Sequence, residues 1–267
     1  MSLMKLPRLA VFVLCLTNLL GNACLASDEK REAEFADGIS KTLTIGKAVW
    51  LEAGGKKFLG VYTEIEKVLG HGVAIIVHDM NGHPNQKQLI YDLRVLLPEH
   101  KWATLSLQMP LREAGAKKED YYALFPEAAA RIQAGIDYVK SNGAENIVVI
   151  GYGLGGLMSA YALSVPTVDV KALVTISLPV PATEDKAAQT LEFIKKINVP
   201  MLDIYGAIDL PDVTESVRER RLAAKENPAY RQIKIDNEGH DYLHDEGLLV
   251  KRIYSWLGAT MAASAGQ

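Results

Sequence analysis

The chain is short of cysteine. It has two in 267 residues, Cys15 and Cys24, both near the N-terminus. Everything after residue 24 is therefore without a thiol, which excludes a disulfide framework, a cysteine nucleophile and a thiolate metal site from the body of the protein. Runs of like charge are also missing, as is any basic stripe interleaved with aromatics. The formal net charge is only −3, so nucleic acid is not an expected partner. No internal repeat and no low-complexity tract breaks the sequence. With 49 % hydrophobic residues, the chain can bury the core of one large α/β domain.

What is present begins with an export signal. Lys5 and Arg8 precede a nearly unbroken apolar run over residues 9–20, followed by small residues and then Ser27-Asp28-Glu29. The run is short for a membrane span, which needs about 20 residues. Cleavage after Ala26 is expected, with an uncleaved anchor and lipidation at Cys24 as alternatives. Removing residues 1–26 takes away two positive charges and leaves −5. The expected location is periplasmic, or lipid-anchored to the envelope, and the expected membrane contact is limited to the signal peptide or the lipid. The lack of cysteine downstream suits an oxidising compartment.

Residues 27–44 read as a polar, loosely packed lead-in, 45–258 as the folded domain, and 259–267 as a flexible tail. Within the domain, 47–51 and 58–62 flank Gly54-Gly55 as a hairpin. Strands are predicted at 72–78, 102–107, 147–150, 172–177, 201–205 and 231–235. Helices are predicted at 86–97, 128–140, 157–162, 191–197, 213–225 and 248–257, from apolar spacing and stop signals such as Ser141-Asn142-Gly143. A hairpin followed by strand–helix units predicts a mostly parallel central sheet with an N-terminal antiparallel hairpin and helices on both faces. Ligands of such sheets bind beyond the carboxyl ends of the strands.

The segments at those ends carry the chemistry-bearing residues. They are His78-Asp79-Met80-Asn81-Gly82-His83-Pro84, Gly151-Tyr152-Gly153-Leu154-Gly155-Gly156, Ser177, Asp209 and Glu238-Gly239-His240-Asp241. Their order resembles the α/β-hydrolase superfamily over residues 45–258. The combination of H-x-x-x-x-H-P, Trp-Ala-Thr-Leu-Ser-Leu-Gln-Met-Pro and G-x-G-x-G-G also resembles an uncharacterised group of bacterial envelope proteins. The resemblance implies a nucleophile, acid and histidine in that order. Asp209 matches the acid and His240 the base. The nucleophile position is Gly153, which keeps the sharp turn while deleting the attacking oxygen. His78, Asp79, Leu154 and His83 match the oxyanion pocket, but Asp79 stands where the family writes glycine.

Two functions follow as expectations. One is a non-catalytic binding or assembly protein that keeps a pocket at the old active site. The other is an unconventional ester or acyl hydrolase in which His240 and Asp209 activate a water or Ser177. Ser106 and Ser159 are weaker spare hydroxyls. A small-molecule or envelope acyl ligand fits either reading, and the protein partner stays open. The G-x-G-x-x-G spelling of the turn lies outside a first strand–helix unit and lacks a ribose-binding acid after the next strand, so no cofactor is expected. A metal held by His240, His244 and His78 or His83 is weighed and not adopted. Tyr121, Tyr122 and Phe125 are either a pocket wall or packing.

Overall fold

In a computed structural model, residues 27–65, 70–165, 168–244 and 246–265 are described. The expected export signal, with both cysteines, lies outside the described residues. Eight strands form one sheet: β1 (Lys47–Ala53), β2 (Lys56–Thr63), β3 (Gly72–Val77), β4 (Trp102–Leu107), β5 (Ile147–Tyr152), β6 (Ala172–Ile176), β7 (Met201–Gly206) and β8 (Tyr230–Ile235). Their spatial order is β1-β2-β4-β3-β5-β6-β7-β8. β1 pairs antiparallel with β2, and β2 antiparallel with β4. All later pairings are parallel. This is the predicted α/β-hydrolase-like architecture.

The register follows from burial. Every residue of β4, β5 and β6 is buried, so these strands read as continuous apolar runs rather than alternating ones. Ile75, Leu105 and Val149 face one core, with α3 (Phe125–Ser141), α4 (Leu154–Leu163) and α5 (Thr190–Ile194) over them. Ile76, Val148 and Ile150 face the other, under α2 (Leu89–Leu96) and the last helix, α8 (Glu246–Ala265). Each such side chain contributes about 1.5–3 kcal/mol when fully buried. A one-residue slip would exchange the two apolar faces along a whole strand.

Three segments differ from the sequence reading. The lead-in is not loose: its bulk is a helix, α1 (Glu29–Thr42), capped by the Asp28 side chain on Arg31 N–H. The polar composition of 28–42 conceals one apolar strip. Ala36 and Ile39 pack on Leu59 and Val61 of β2. The expected tail continues α8 as far as Ala265. The helix predicted over 213–225 divides into α6 (Pro211–Thr214) and α7 (Val217–Ala223). At that break Ser216 Oγ bonds back to the Asp212 and Val213 carbonyls, which competes with continuing the helical ladder. Among the described residues no helix is long and apolar enough to cross a membrane.

The topology positions the site. β3 lies beside β5, and β5, β6, β7 and β8 follow in order. Their carboxyl ends, Val77, Tyr152, Ile176, Gly206 and Ile235, share one rim of the sheet. The loops leaving that rim carry Asp79, Gly153, Ser177, Asp209 and His240.

Candidate functional site

Gly153 is the turn between β5 and α4. Its backbone lies at φ 55°, ψ −124°, a conformation that disfavours any side chain. The neighbouring Gly155 lets α4 approach β3 closely, since a Cβ there would lie 2.6 Å from the Val77 carbonyl. The turn has the strand-to-helix form of a nucleophile elbow, with glycine at its centre.

The space above Gly153 is filled by Asp79. A Cβ added to Gly153 would lie 2.5 Å from Asp79 Oδ2, and closer still to Cγ and Oδ1. Asp79 Oδ1 accepts from Met80 N–H at 2.7 Å and from Leu154 N–H at 2.6 Å. Leu154 opens α4 and its amide has no partner within the helix. A carboxylate at that position also meets the positive end of the helix dipole. These two amides, one from the loop after β3 and one following the elbow, are where this fold places an oxyanion hole.

Asp79 Oδ2 lies 2.9 Å from His240 Nε2, and His240 Nδ1 lies 2.9 Å from Asp209 Oδ1. The imidazole is thus clasped between two carboxylates. Burial alone would lower its pKa, but the bonds from Asp209 and Asp79 and their charge outweigh burial and raise it to about 10. At neutral pH the ring is an imidazolium, donating from both nitrogens.

Asp209 is fully buried as a side chain, whereas Asp79 is 17 % and His240 19 % exposed. Asp209 Oδ1 also accepts Leu210 N–H at 2.8 Å, and Oδ2 accepts Gly206 N–H at 3.3 Å and the Ser177 hydroxyl. Burial pushes the Asp209 carboxyl up, but the bonds from His240, Ser177 and Leu210 win and leave it below its ordinary value.

Ser177 is buried at the end of β6, at φ 54°. Its hydroxyl faces Asp209 and lies 3.1 Å from Tyr242 Oη, so it serves the acid side. Ser159 Oγ donates to the Gly155 carbonyl at 2.7 Å. Ser106 is buried in β4.

His78 shapes the loop. Its Nε2 accepts Met109 N–H at 3.0 Å, which assigns the proton to Nδ1, and Nδ1–H donates to the Asp79 carbonyl at 2.7 Å. Burial holds its pKa down to about 4, so this ring is a neutral brace. His83 lies apart from the imidazolium centre, with its ring centroid 4.8 Å from that of Phe35 on α1 and its Nδ1 accepting Asn85 N–H. His240 and His244 sit in turn and bend rather than on one helix face. His244 turns to the buried Glu238. Among the described residues no group of three or more His, Cys, Asp or Glu is placed to hold a metal. Tyr121, Tyr122 and Phe125 are buried as packing, and Tyr121 also donates its hydroxyl to Asn81 Oδ1 at 3.0 Å.

The structure thus brings together Gly153, Leu154, Asp79, His240, Asp209 and Ser177, with His78 behind them. Sequence reasoning placed Asp79 as a doubtful amide donor and missed its carboxylate. The available signal was a pair of departures from the resembled pattern, glycine at 153 and a carboxylate at 79, and the carboxylate takes the space a side chain at 153 would need.

The fold is shared with esterases. A structure of Est1E from Butyrivibrio proteoclasticus with ferulic acid bound has a TM-score of 0.66 at 20 % identity, covering 80 % of this chain and all of the other. The Pyrococcus furiosus esterase Pf2001 gives 0.65 at 17 % identity, covering 80 % and 89 %. An esterase domain from Rhodothermus marinus gives 0.61 at 15 % identity, covering 79 % and 96 %. No curated protein matches the chain. A family model described as "Protein of unknown function (DUF3530)" matches residues 22–130 and 116–259.

Proposed function

The chain belongs to the DUF3530 family, and we propose that it is an exported hydrolase scaffold withdrawn from serine acyl transfer and used for binding or assembly in the bacterial envelope. One observation carries this reading. The Asp79 carboxyl stands where a serine side chain would project and takes both oxyanion amides for itself.

Three requirements of acyl transfer are unmet together. There is no hydroxyl at 153 to attack. The two amides that would stabilise a developing oxyanion already serve a resident anion. The base that would accept a proton is protonated, because its pKa is about 10. An imidazolium cannot activate a water near neutral pH. Ser177 does not substitute for the missing residue, since its hydroxyl is turned to Asp209. Placement in the envelope rests on the N-terminal signal read from sequence.

The test uses a fluorophosphonate probe and short-chain nitrophenyl esters. The wild-type protein is expected to be silent to both. Gly153→Ser alone is also expected to stay silent, because its side chain has no room beside Asp79. Gly153→Ser with Asp79→Gly is expected to label and to turn over esters about a hundredfold or more above the single variant, the scale of one oxyanion donor. His240→Ala should abolish that gain. Wild-type turnover that His240→Ala removes would overturn the reading.

A further inference from the structure

Three donors converge above Gly153: the Met80 amide, the Leu154 amide and His240 Nε2. Two are backbone groups aimed by turns, and the third is an imidazolium held from behind by Asp209. We propose that this cradle is a binding site for a small carboxylate, with Asp79 as its built-in competitor. The proposal rests on the binding function above and names the ligand class of that same site.

Geometry selects the ligand. The cradle asks for two oxygens on one carbon, one between the amides and one on the imidazolium, which is how Asp79 occupies it. Charge selects the same class. With Asp79 withdrawn, His240 keeps its bond to Asp209 and loses the partner on Nε2, and both amides lose their acceptor. An incoming monocarboxylate restores the single negative charge that Asp79 supplied. A tetrahedral dianion brings more charge than one imidazolium balances.

Asp79 is placed to leave. Its side chain is 17 % exposed, against 0 % for Asp209 on the other side of the same ring. The loop that bears it is braced from α1 as well as by His78. Arg31 of α1 donates to Asn81 Oδ1 at 2.9 Å and to the Arg112 carbonyl at 2.8 Å. Phe35 of α1 packs on His83, and Tyr121 donates to Asn81. The N-terminal helix therefore helps to hold the loop that carries the competitor. A tethered competitor acts at an effective concentration of roughly millimolar or more, so a free carboxylate gains access when Asp79 or its bracing is weakened.

Sodium formate, titrated at constant ionic strength into the full-length protein and its Asp79→Gly variant, tests this. The readouts are the thermal midpoint and the backbone amide shifts of Met80 and Leu154. The variant's midpoint is expected to rise saturably, with both amides shifting together, at a half-saturating formate concentration about tenfold or more below that of the wild type. Arg31→Ala, which keeps Asp79, is expected to respond at less formate than the wild type. An Asp79→Gly protein no more responsive than the wild type overturns the proposal, as does an equal response to sulfate. If Asp79→Gly does not fold, Asp79→Asn keeps the shape, weakens the bond to the imidazolium and carries the same expectation. A flat formate titration with silent esters removes the ligand and leaves the binding function. Wild-type ester turnover lost in His240→Ala overturns the binding function and leaves the formate result standing.

Discussion

His240 has two sides, and they have been treated differently. On its Nδ1 side, Asp209 is fully buried and takes four donors, from His240, Ser177, Leu210 and Gly206. On its Nε2 side, Asp79 is partly exposed and takes three, from His240, Met80 and Leu154. The Nδ1 side has the acid–histidine pairing expected from the resemblance, while on the Nε2 side a carboxylate stands above Gly153. The difference is one of structural duty. Asp209 ties the end of β6, through Ser177, to the turn after β7 and to the loop after β8, so losing it would unsatisfy several buried groups at once. A serine at 153 would have carried only its own hydroxyl, and a carboxylate from the neighbouring loop fills its space.

The sharpest way to probe the comparison is to disable both sides together with pH. His240 has a folded pKa of about 10 against an ordinary 6.5. Its contribution to stability is therefore complete below about 6.5 and is lost as pH rises through about 10. Urea unfolding at pH 6 and pH 10 should differ by several kcal/mol through this group, with a ceiling of about 5 kcal/mol set by the gap between the folded and unfolded values. His240→Gln should flatten that part of the pH dependence, and an unchanged slope would show that the clasp carries no linkage.

Removing the buried side comes next. Asp209→Ala removes the Nδ1 partner of the ring and the acceptor of the Ser177, Leu210 and Gly206 donors, and should cost about 3–5 kcal/mol in denaturant unfolding. The smallest effect belongs to the Nε2 side. Asp79→Ala leaves the Met80 and Leu154 amides without their carboxylate acceptor and should cost about 1–3 kcal/mol. His240 should at the same time titrate below its wild-type value, read by ring proton shifts. Equal costs for the two aspartates would erase the distinction between the sides.

Much of the fold was legible because burial leaves a local trace. The apolar run at 147–150, followed by a glycine-rich turn and the helix-forming 157–162, gave β5, the elbow and α4. Asp209 and His240 were legible from their order after that turn. Less legible was α1, since its buried face combines Ala36 and Ile39 with the charged Glu32 within a charged segment. Its docking is set by the facing Leu59 and Val61, about twenty residues away in sequence. The break between α6 and α7 depends on where the Ser216 hydroxyl bonds, which apolar spacing does not encode.

The amino-acid order by itself determined the sheet, the elbow and the absence of an attacking oxygen at 153, because periodicity, glycine and the lack of a side chain are local properties. Only the tertiary structure decided what stands in its place. Asp79 is 74 residues from Gly153 and 161 from His240. It reaches both because β3 is laid parallel against β5, so that their following loops meet on one rim. A carboxylate in that meeting point becomes the partner of two amides and an imidazolium, and that is a consequence of packing between strands distant in sequence.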